Sequence, residues 1–348
     1  MRVRNNIFFG KTRILFILLL FLSNFALAAE ESSIEEVFNP GEVITEHVSD
    51  SHIWHFWEGH YGTIYLPVIL YSSDRGVEVF SSGNFFDEEH QPKEYNGYKL
   101  EENNIVPVDE ARSVFDLSIT KNVAQMFISA VLIFWIFFRV KHGYRVNEGK
   151  APTGIQSFFE PIIIFIRDEV ARPVIGEKYE RFLPYLLTLF FFIWINAMLS
   201  LIPGSANVMG NIAATMTLAI FTFLITLVNG KKTYWKHIFN TPGVPWWLKL
   251  PVPLMPFVEL LSVFTKPFSL TIRLFANMIA GHIVLLSLIS LIFVFRSAWI
   301  GPGSVIFGIF MNFLELFVAL LQAFIFTILS AMYFGEAIEE SHESVEHA

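Results

Sequence analysis

The sequence SLTIRLFANMIAGH, residues 269–282, lies inside a long apolar region and carries a single arginine, Arg273. Arginine does not lose its proton in proteins, so this side chain stays charged wherever the fold places it. A permanent cation at membrane depth costs at least about 2.5–3.5 kcal/mol on insertion scales. We therefore expect Arg273 to have a function that offsets this cost, and the neighbouring helices to be arranged around it.

The composition predicts a membrane protein with several spans. The 348 residues are 53% hydrophobic and 16% charged, whereas soluble domains are about 45–50% apolar and about 25% charged. The apolar residues lie mainly in long runs after Asn122, and a helix of about 20 apolar residues spans a bilayer. The absence of cysteine excludes disulfides and thiolate chemistry. A net charge of −8 without a basic stripe does not indicate nucleic-acid binding.

Residues 1–28 predict a secretory signal peptide. A basic start precedes the apolar run Ile14–Leu22, and Ala26-Leu27-Ala28 forms an A-x-A cleavage site. An uncleaved anchor is the alternative, although the apolar run is short for a span. Both interpretations place the next segment, residues 29–121, outside the cytoplasm.

Residues 29–121 predict a small extracytoplasmic extension, with β-like runs at Thr63–Tyr71 and Val77–Phe80. The extension contains four clustered histidines, His47, His52, His55 and His60, beside Trp54 and Trp57. Histidine is the commonest metal ligand, but the spacing matches no known metal cage. We therefore favour a surface or interfacial hairpin over a metal site, and we expect neither a metal nor a cofactor.

The region from 122 to 340 predicts an all-α polytopic membrane domain, followed by a cytoplasmic tail at 341–348. The predicted spans are Val123–Phe138, Phe182–Ile202, Val208–Val228, Phe257–Phe295 and Ser304–Tyr333. The last two exceed a simple span, so we expect a hairpin of two long, tilted helices. An amphipathic helix at Gly154–Gly176, bent or bounded by prolines, is expected on the cytoplasmic surface. Residues 240–256, rich in proline and tryptophan, predict an interfacial connection.

The orientation follows from the basic residues that end the spans. Arg139 follows the first predicted span and Lys231 follows the third. Because cytoplasmic loops carry an excess of lysine and arginine, these ends and the carboxyl terminus are expected in the cytoplasm.

Ionisable residues are absent from the cores of the first three predicted spans. The last two contain Glu259, Lys266, Arg273, His282, Glu315 and Glu336. Such groups within membrane helices indicate an ion or proton path. In the earlier spans Asn196 and Asn211 are the notable polar residues, and the sequence leaves open whether they bond across helices or line a water path.

In an antiparallel pair of helices, residues at equal distances from the turn face each other. Counting outward from a turn near Ala298 therefore pairs the polar residues of the last two helices. The pairs are His282 with Glu315, Arg273 with Gln322, and Glu259 with Glu336. At about 100° per residue Arg273 and Asn277 share one face, while His282 points to the opposite face about 13 Å along the axis. Arg273 and His282 are therefore expected to serve different surfaces.

Arg273 has no counterion within reach along its own helix. No carboxylate lies three or four residues away, and Gln322 is neutral. We therefore expect the partner to be a carboxylate on another subunit. Small residues in the same stretch permit close helix approach; they are Ala276, Ala280 and Gly281.

The same residues resemble the signature of subunit a of the bacterial F-type ATP synthase. The matching segments are RLFANMIAGH at 273–282, LQAFIF at 321–326 and the run Glu259–Leu270. The resemblance covers about residues 116–340 and leaves the role of the extension open. It implies a proton-translocating stator subunit of the Fo sector in the bacterial inner membrane. It also implies partnership with the c-subunit ring, the b-subunit stator, the rest of the complex and the lipid bilayer.

The resemblance assigns a role to each polar residue of the hairpin. Arg273 corresponds to the essential arginine facing the ring, with Gln322 and Asn277 beside it. His282 and Glu315 correspond to a channel pair whose residue types are exchanged relative to well-known bacterial members. Glu259 and Ser269 correspond to the cytoplasmic side, and Asn196 is expected near the inlet. The chain carries no nucleotide motif, so it is expected to be non-catalytic by itself.

Two other functions are compatible with an intramembrane arginine. A secondary transporter would use Arg273 to bind an anionic substrate, but it predicts internal repeats, and we find none. A non-transporting scaffold would leave the polar hairpin without a role. The choice between H⁺ and Na⁺ stays open, because the resemblance places the ion site on the partner.

Overall fold

The computed structural model describes residues 39–56, 62–87, 91–101, 103–109, 112–202, 204–239, 254–295 and 300–338. The predicted signal peptide, Trp57, His60, most of the 240–256 connection, the hairpin turn near Ala298 and the 341–348 tail lie outside the described residues. The chain from Pro40 onward forms one compact unit, so the extension and the apolar helices are described together.

The extension is a short helix followed by three small antiparallel sheets. Helix α1 spans Pro40–Val48, and the strands are β1 Ile53–His55, β2 Thr63–Tyr65, β3 Pro67–Ser72, β4 Gly76–Ser81, β5 Tyr98–Glu101, β6 Asn104–Pro107 and β7 Val114–Asp116. Strand β1 pairs with β2, β3 lies between β4 and β7, and β5 pairs with β6. The alternating β-like runs of the sequence are confirmed, and the all-α class describes only the chain beyond these strands.

Beyond these strands, the described chain is mainly helical. The helices are α2 Lys121–Val146, α3 Ile155–Phe165, α4 Arg172–Ile175, α5 Tyr179–Ser200, α6 Ile212–Asn229, α7 Lys232–Phe239, α8 Leu254–Phe295 and α9 Ile300–Ile338. Among the described residues, five helical stretches are long and apolar enough to cross a membrane. Four of them are the helices α2, α6, α8 and α9, and the fifth is the continuous stretch Ile155–Ser200, which contains α3, α4 and α5. This number agrees with the five predicted spans.

The segment predicted as a separate amphipathic helix is part of the bundle. A π-helical turn at Ile166–Ala171 joins α3 to α4, and a 3-10 turn at Gly176–Lys178 leads into α5. The side chains of Ile166 and Val170 are completely buried, and this turn packs against α5 and α9. The apolar side chains of this turn are therefore covered by neighbouring helices of the same chain, whereas Phe158 and Phe165 of α3 stay exposed.

Contacts between distant segments define two ends of the helical bundle. At the extension end, the Trp54 indole N–H donates to the carbonyl of Gly204 at 2.8 Å. Gln125 exchanges two hydrogen bonds with the backbone of Ala206 at the same end. At the opposite, tail end, the backbone N–H of Lys231 donates to the carbonyl of Ala337 at 2.9 Å. The helices thus run alternately between an extension end and a tail end.

The docking of the extension depends on Gly204, which has a φ of +79°. A Cβ atom there would lie 2.8 Å from the Cα of Phe56. We expect Gly204→Ala to displace strand β1 and to speed hydrogen–deuterium exchange of the amides at 53–56. Gly149→Ala is the matched control, because Gly149 also has a positive φ but a Cβ there meets nothing within 4 Å. Equal exchange of this strand in both variants would contradict the prediction.

Candidate functional site

Helix α8 presents one buried face and one exposed face. Leu270, Leu274 and Met278 recur every four residues and are at most 2% exposed. Arg273 lies on the exposed face. In the part of the chain that the structure describes, it forms no ion pair or hydrogen bond. A counterion on another subunit therefore stays a prediction.

His282 and Glu315 form a buried pair on the other side of α8. Their side chains are 7% and 6% exposed, and Nδ1 of His282 lies 3.8 Å from Oε1 of Glu315. This confirms that the two residues face each other and that His282 and Arg273 serve different surfaces. The separation is too long for a direct hydrogen bond.

The pair retains unused hydrogen-bonding capacity. Nδ1 of His282 and Oε2 of Glu315 are buried and have no hydrogen-bond partner among the described residues. Buried polar atoms are normally satisfied by protein groups or by water. One acid and one imidazole in this state are suited to exchanging protons through an intervening water.

Gly281 makes room for the Glu315 carboxyl group. A Cβ atom at Gly281 would lie 3.3 Å from Cδ and 3.4 Å from Oε1 of Glu315. The small residue thus brings a carboxyl group of the same chain against the backbone of α8, whereas close approach of another subunit at this stretch stays a prediction.

The structure corrects the second and third predicted pairs of the hairpin. Gln322 accepts a hydrogen bond from Asn277 at 2.8 Å, rather than facing Arg273. Glu336 forms an ion pair with Lys266, rather than facing Glu259. Counting equal numbers of residues outward from the turn assumes two straight helices with parallel axes. Where this does not hold, the error in the predicted pairing grows with distance from the turn.

A proline adds to this offset. Pro267 lies inside α8, and the hydroxyl of Thr271 donates to its carbonyl at 3.0 Å. Proline removes one backbone hydrogen bond and bends a helix. We therefore do not expect the pairing between residues of α8 and α9 near the turn to continue unchanged beyond Pro267.

None of the remaining predicted residues forms a hydrogen bond or ion pair with His282 or Glu315 among the described residues. Asn196 is completely buried and donates to the carbonyl of Phe192 in its own helix. Its Oδ1 has no hydrogen-bond partner in the described part of the chain. The side chain of Asn211 caps α6, where its Oδ1 accepts from the N–H of Ala213 at 2.9 Å. Glu259 is partly exposed, and Ser269 lies on the exposed face one turn from the arginine.

A small, mainly apolar cavity lies between α6, α7, α8 and α9. Its polar lining residues are Thr222, Thr226, Tyr234, Lys266 and Tyr333. The threonines give no functional signal in the sequence, because single threonines within an apolar helix are common. Only the packing of four helices brings them together with Lys266.

The extension contributes a residue to the buried pair. Helix α1 packs against α8, and the ring of His47 stacks on that of His282 with centroids 5.7 Å apart and planes inclined by 15°. Burial, and then the neighbouring His282 and Lys121, lower the pKa of His47 to about 4. The sequence contained no sign of this contact, because it joins segments far apart in the chain.

The other described histidines of the extension have separate partners. His52 contacts the carbonyl of Asn103 and a carboxylate oxygen of Asp116, each at 3.0 Å. His55 lies 2.9 Å from the hydroxyl of Thr63. Within the described ranges, no three histidine, cysteine or acidic side chains come together in a way that could hold a metal ion.

Comparison with known proteins agrees with this architecture. The family model for the ATP synthase A chain matches residues 123–335, and a domain of unknown function (DUF8433) matches residues 43–126. ATP synthase subunit a of Chloroherpeton thalassium is 44% identical over 241 residues, which cover 67% of this chain and 71% of the relative. Subunit a 2 of Chlorobium luteolum is 39% identical over 313 residues, covering 88% of this chain and 77% of the relative.

A more distant relative extends over a similar length. Subunit a of Anaeromyxobacter sp. is 36% identical over 320 residues, covering 88% of this chain and 73% of the relative. The five apolar helices and these matches define a multi-pass membrane protein. The chain belongs to the family of subunit a of the F-type ATP synthase.

Proposed function

We propose that the chain is the proton-translocating stator subunit of the Fo sector of a bacterial ATP synthase. It works in the inner membrane beside a ring of c subunits, together with a b-subunit stator. One observation carries the mechanism in particular. The exposed cation Arg273 lies on one face of α8, and the buried pair of His282 and Glu315 lies on the other.

The buried pair supports an inlet half-channel at the extension end. A proton reaches His282 and Glu315 through water, and Asn196 adds a buried polar atom to the same bundle. From there the proton passes to a carboxylate of the c-subunit ring. The neutral carboxylic acid can then move into the lipid phase, where a charged one is unfavourable.

Arg273 supports the separation of inlet and outlet. Its guanidinium stabilises the ionised form of a passing c-subunit carboxylate, because an opposite charge within about 4–6 Å favours the charged state. The same permanent charge opposes direct proton flow between the half-channels. Each proton that crosses 100 mV releases about 2.3 kcal/mol, which turns the ring.

The tail end supports the outlet. Ser269 and Glu259 lie on the tail side of Arg273 along α8, with Lys266 between them in the sequence. Released protons leave along this half of the helix. We assign the tail end to the cytoplasm because basic residues follow α6 there, and we assign the extension, after removal of the signal peptide, to the outer side.

The test is purification of the tagged chain from its native membrane. We expect a ring of small c subunits and the stator to copurify, and the reconstituted complex to pump protons on addition of ATP. A secondary transporter would instead purify without a ring and exchange an anionic substrate, and a scaffold would purify with partners but support no proton flux. Either outcome would overturn the proposal, and no observation on the chain favours either alternative.

Gly281 provides a separate test of the inlet. We expect Gly281→Ala to slow ATP-driven proton pumping several-fold, because a methyl group would displace the Glu315 carboxyl from its place against α8. The measurement is quenching of a pH-sensitive dye in inverted vesicles. Gly308→Ala is the control, since a Cβ there meets only a leucine methyl group at 3.9 Å. Equal pumping by the two variants would contradict a role for this close contact.

A further inference from the structure

The extension reaches the His282–Glu315 pair through the last turn of α1. There the ring of His47 lies over the ring of His282, with centroids 5.7 Å apart. Counted as whole residues, with backbone and side chain together, His282 is 5% exposed and Glu315 is 7% exposed. His47 therefore covers one side of a buried titratable pair, although it lies outside the region matched by the ATP synthase A chain family.

Hydrogen bonds hold the end of α1 against the start of α2. The ammonium group of Lys121 donates to the carbonyl of His47 at 3.0 Å. The carboxylate of Asp50 accepts from the hydroxyl of Thr120 at 2.8 Å and from the backbone N–H of Asn122 at 3.2 Å. His47 thus has a defined position relative to the membrane helices.

We propose that His47 is a positioning residue of the proton inlet, whose neutral ring holds the His282 imidazole toward Glu315 and keeps a second positive charge out of the inlet. This inference rests on the proposed function in proton uptake. A stacked ring cannot donate a hydrogen bond to the ring beneath it, because its N–H groups lie in its own plane. The geometry therefore assigns His47 to orientation rather than to proton transfer.

The charges around His47 explain why a neutral ring is required. The described titratable and charged groups that face it are His282 of α8, with Glu315 of α9 behind it, and Lys121 of α2. A protonated His47 would stand beside the Lys121 ammonium and oppose protonation of His282. A neutral ring avoids both repulsions and still packs over the imidazole.

The test uses opposite charges at position 47 in the reconstituted complete complex. Proton uptake from the extension side is measured across a range of pH for His47→Lys and His47→Glu. We expect the midpoint pH of uptake to fall by about one unit with lysine and to rise by about one unit with glutamate. The same changes at His55, which is exposed on β1, are the controls and should leave the midpoint unchanged.

A third variant separates positioning from proton transfer. His47→Phe keeps a neutral stacked ring, so we expect a rate close to that of the parent and an unshifted midpoint, whereas His47→Ala slows uptake several-fold. If the phenylalanine variant is as slow as the alanine variant, His47 carries protons and the inference is wrong. If the midpoint pH does not move in opposite directions in the lysine and glutamate variants, the contact between His47 and His282 is only packing. That result would also overturn the inference.

Glu315→Gln is measured in parallel to keep two failures apart. If this variant takes up protons normally, the proposed inlet itself is wrong. If it stops uptake while the lysine and glutamate variants at position 47 shift no midpoint, the inlet stands and only the inference about His47 fails.

Discussion

No ATP synthesis is expected from a reconstituted complex that carries Arg273→Ala. Without the guanidinium, nothing in the described part of the chain holds an ionised c-subunit carboxylate at the exposed face of α8. Under the proposed function, the change also removes the barrier between the two half-channels, so we expect protons to cross without turning the ring. The measurement is ATP formation in vesicles that are driven by an imposed pH gradient and potential.

Arg273→Lys should fail almost as completely. Lysine keeps the charge, but its compact, strongly hydrated ammonium lacks the planar fork of donors that matches a carboxylate. The matched control is Arg145→Ala, which removes an exposed arginine from the last turn of α2. Synthesis by the Arg273→Ala complex at the control rate would refute the assignment of this residue.

The second large effect is expected at the buried pair. His282→Ala and Glu315→Gln should each slow proton uptake at least about tenfold, since a positioned proton-transfer group typically contributes about 10²–10⁴-fold. Passive proton flux through Fo vesicles, measured from the extension side, gives the rate. Ser287→Ala is the control, because Ser287 is exposed on the same helix and its hydroxyl donates to the carbonyl of Ile283 one turn earlier at 2.7 Å.

The double exchange of His282→Glu with Glu315→His makes this test sharper. It keeps one acid and one imidazole face to face, so we expect it to recover much of the flux that either single substitution loses. Because the effects of changes at contacting residues are not additive, the melting temperature of each complex is measured beside the flux; an exchange that recovers stability but not flux would show a purely structural pair. Unchanged flux in the single variants would likewise show that His282 serves packing only.

The sequence predicted the local geometry of the site correctly. Helical periodicity alone separated Arg273 from His282, because rotation by 100° per residue is a property of the helix and not of its surroundings. Pairing of His282 with Glu315 also followed from counting, since this pair lies nearest the turn and little offset has accumulated. The lack of a carboxylate near Arg273 was likewise evident from its neighbours.

Tertiary structure decided what counting could not. Glu336 pairs with Lys266 and not with Glu259, because the register of two long helices drifts with distance from the turn, as the Asn277–Gln322 pair already shows. The place of Asn211 as a helix cap depended on where α6 begins, and sequence patterns locate helix boundaries poorly.

The stretch 269–282 determined by itself that one helix carries a permanent cation on one face and a titratable imidazole on the other. That His47 covers this imidazole was decided only by the fold. The two histidines are separated by most of the chain. Periodicity reports the face of a residue within its own helix, whereas a contact between distant segments depends on how the whole chain packs.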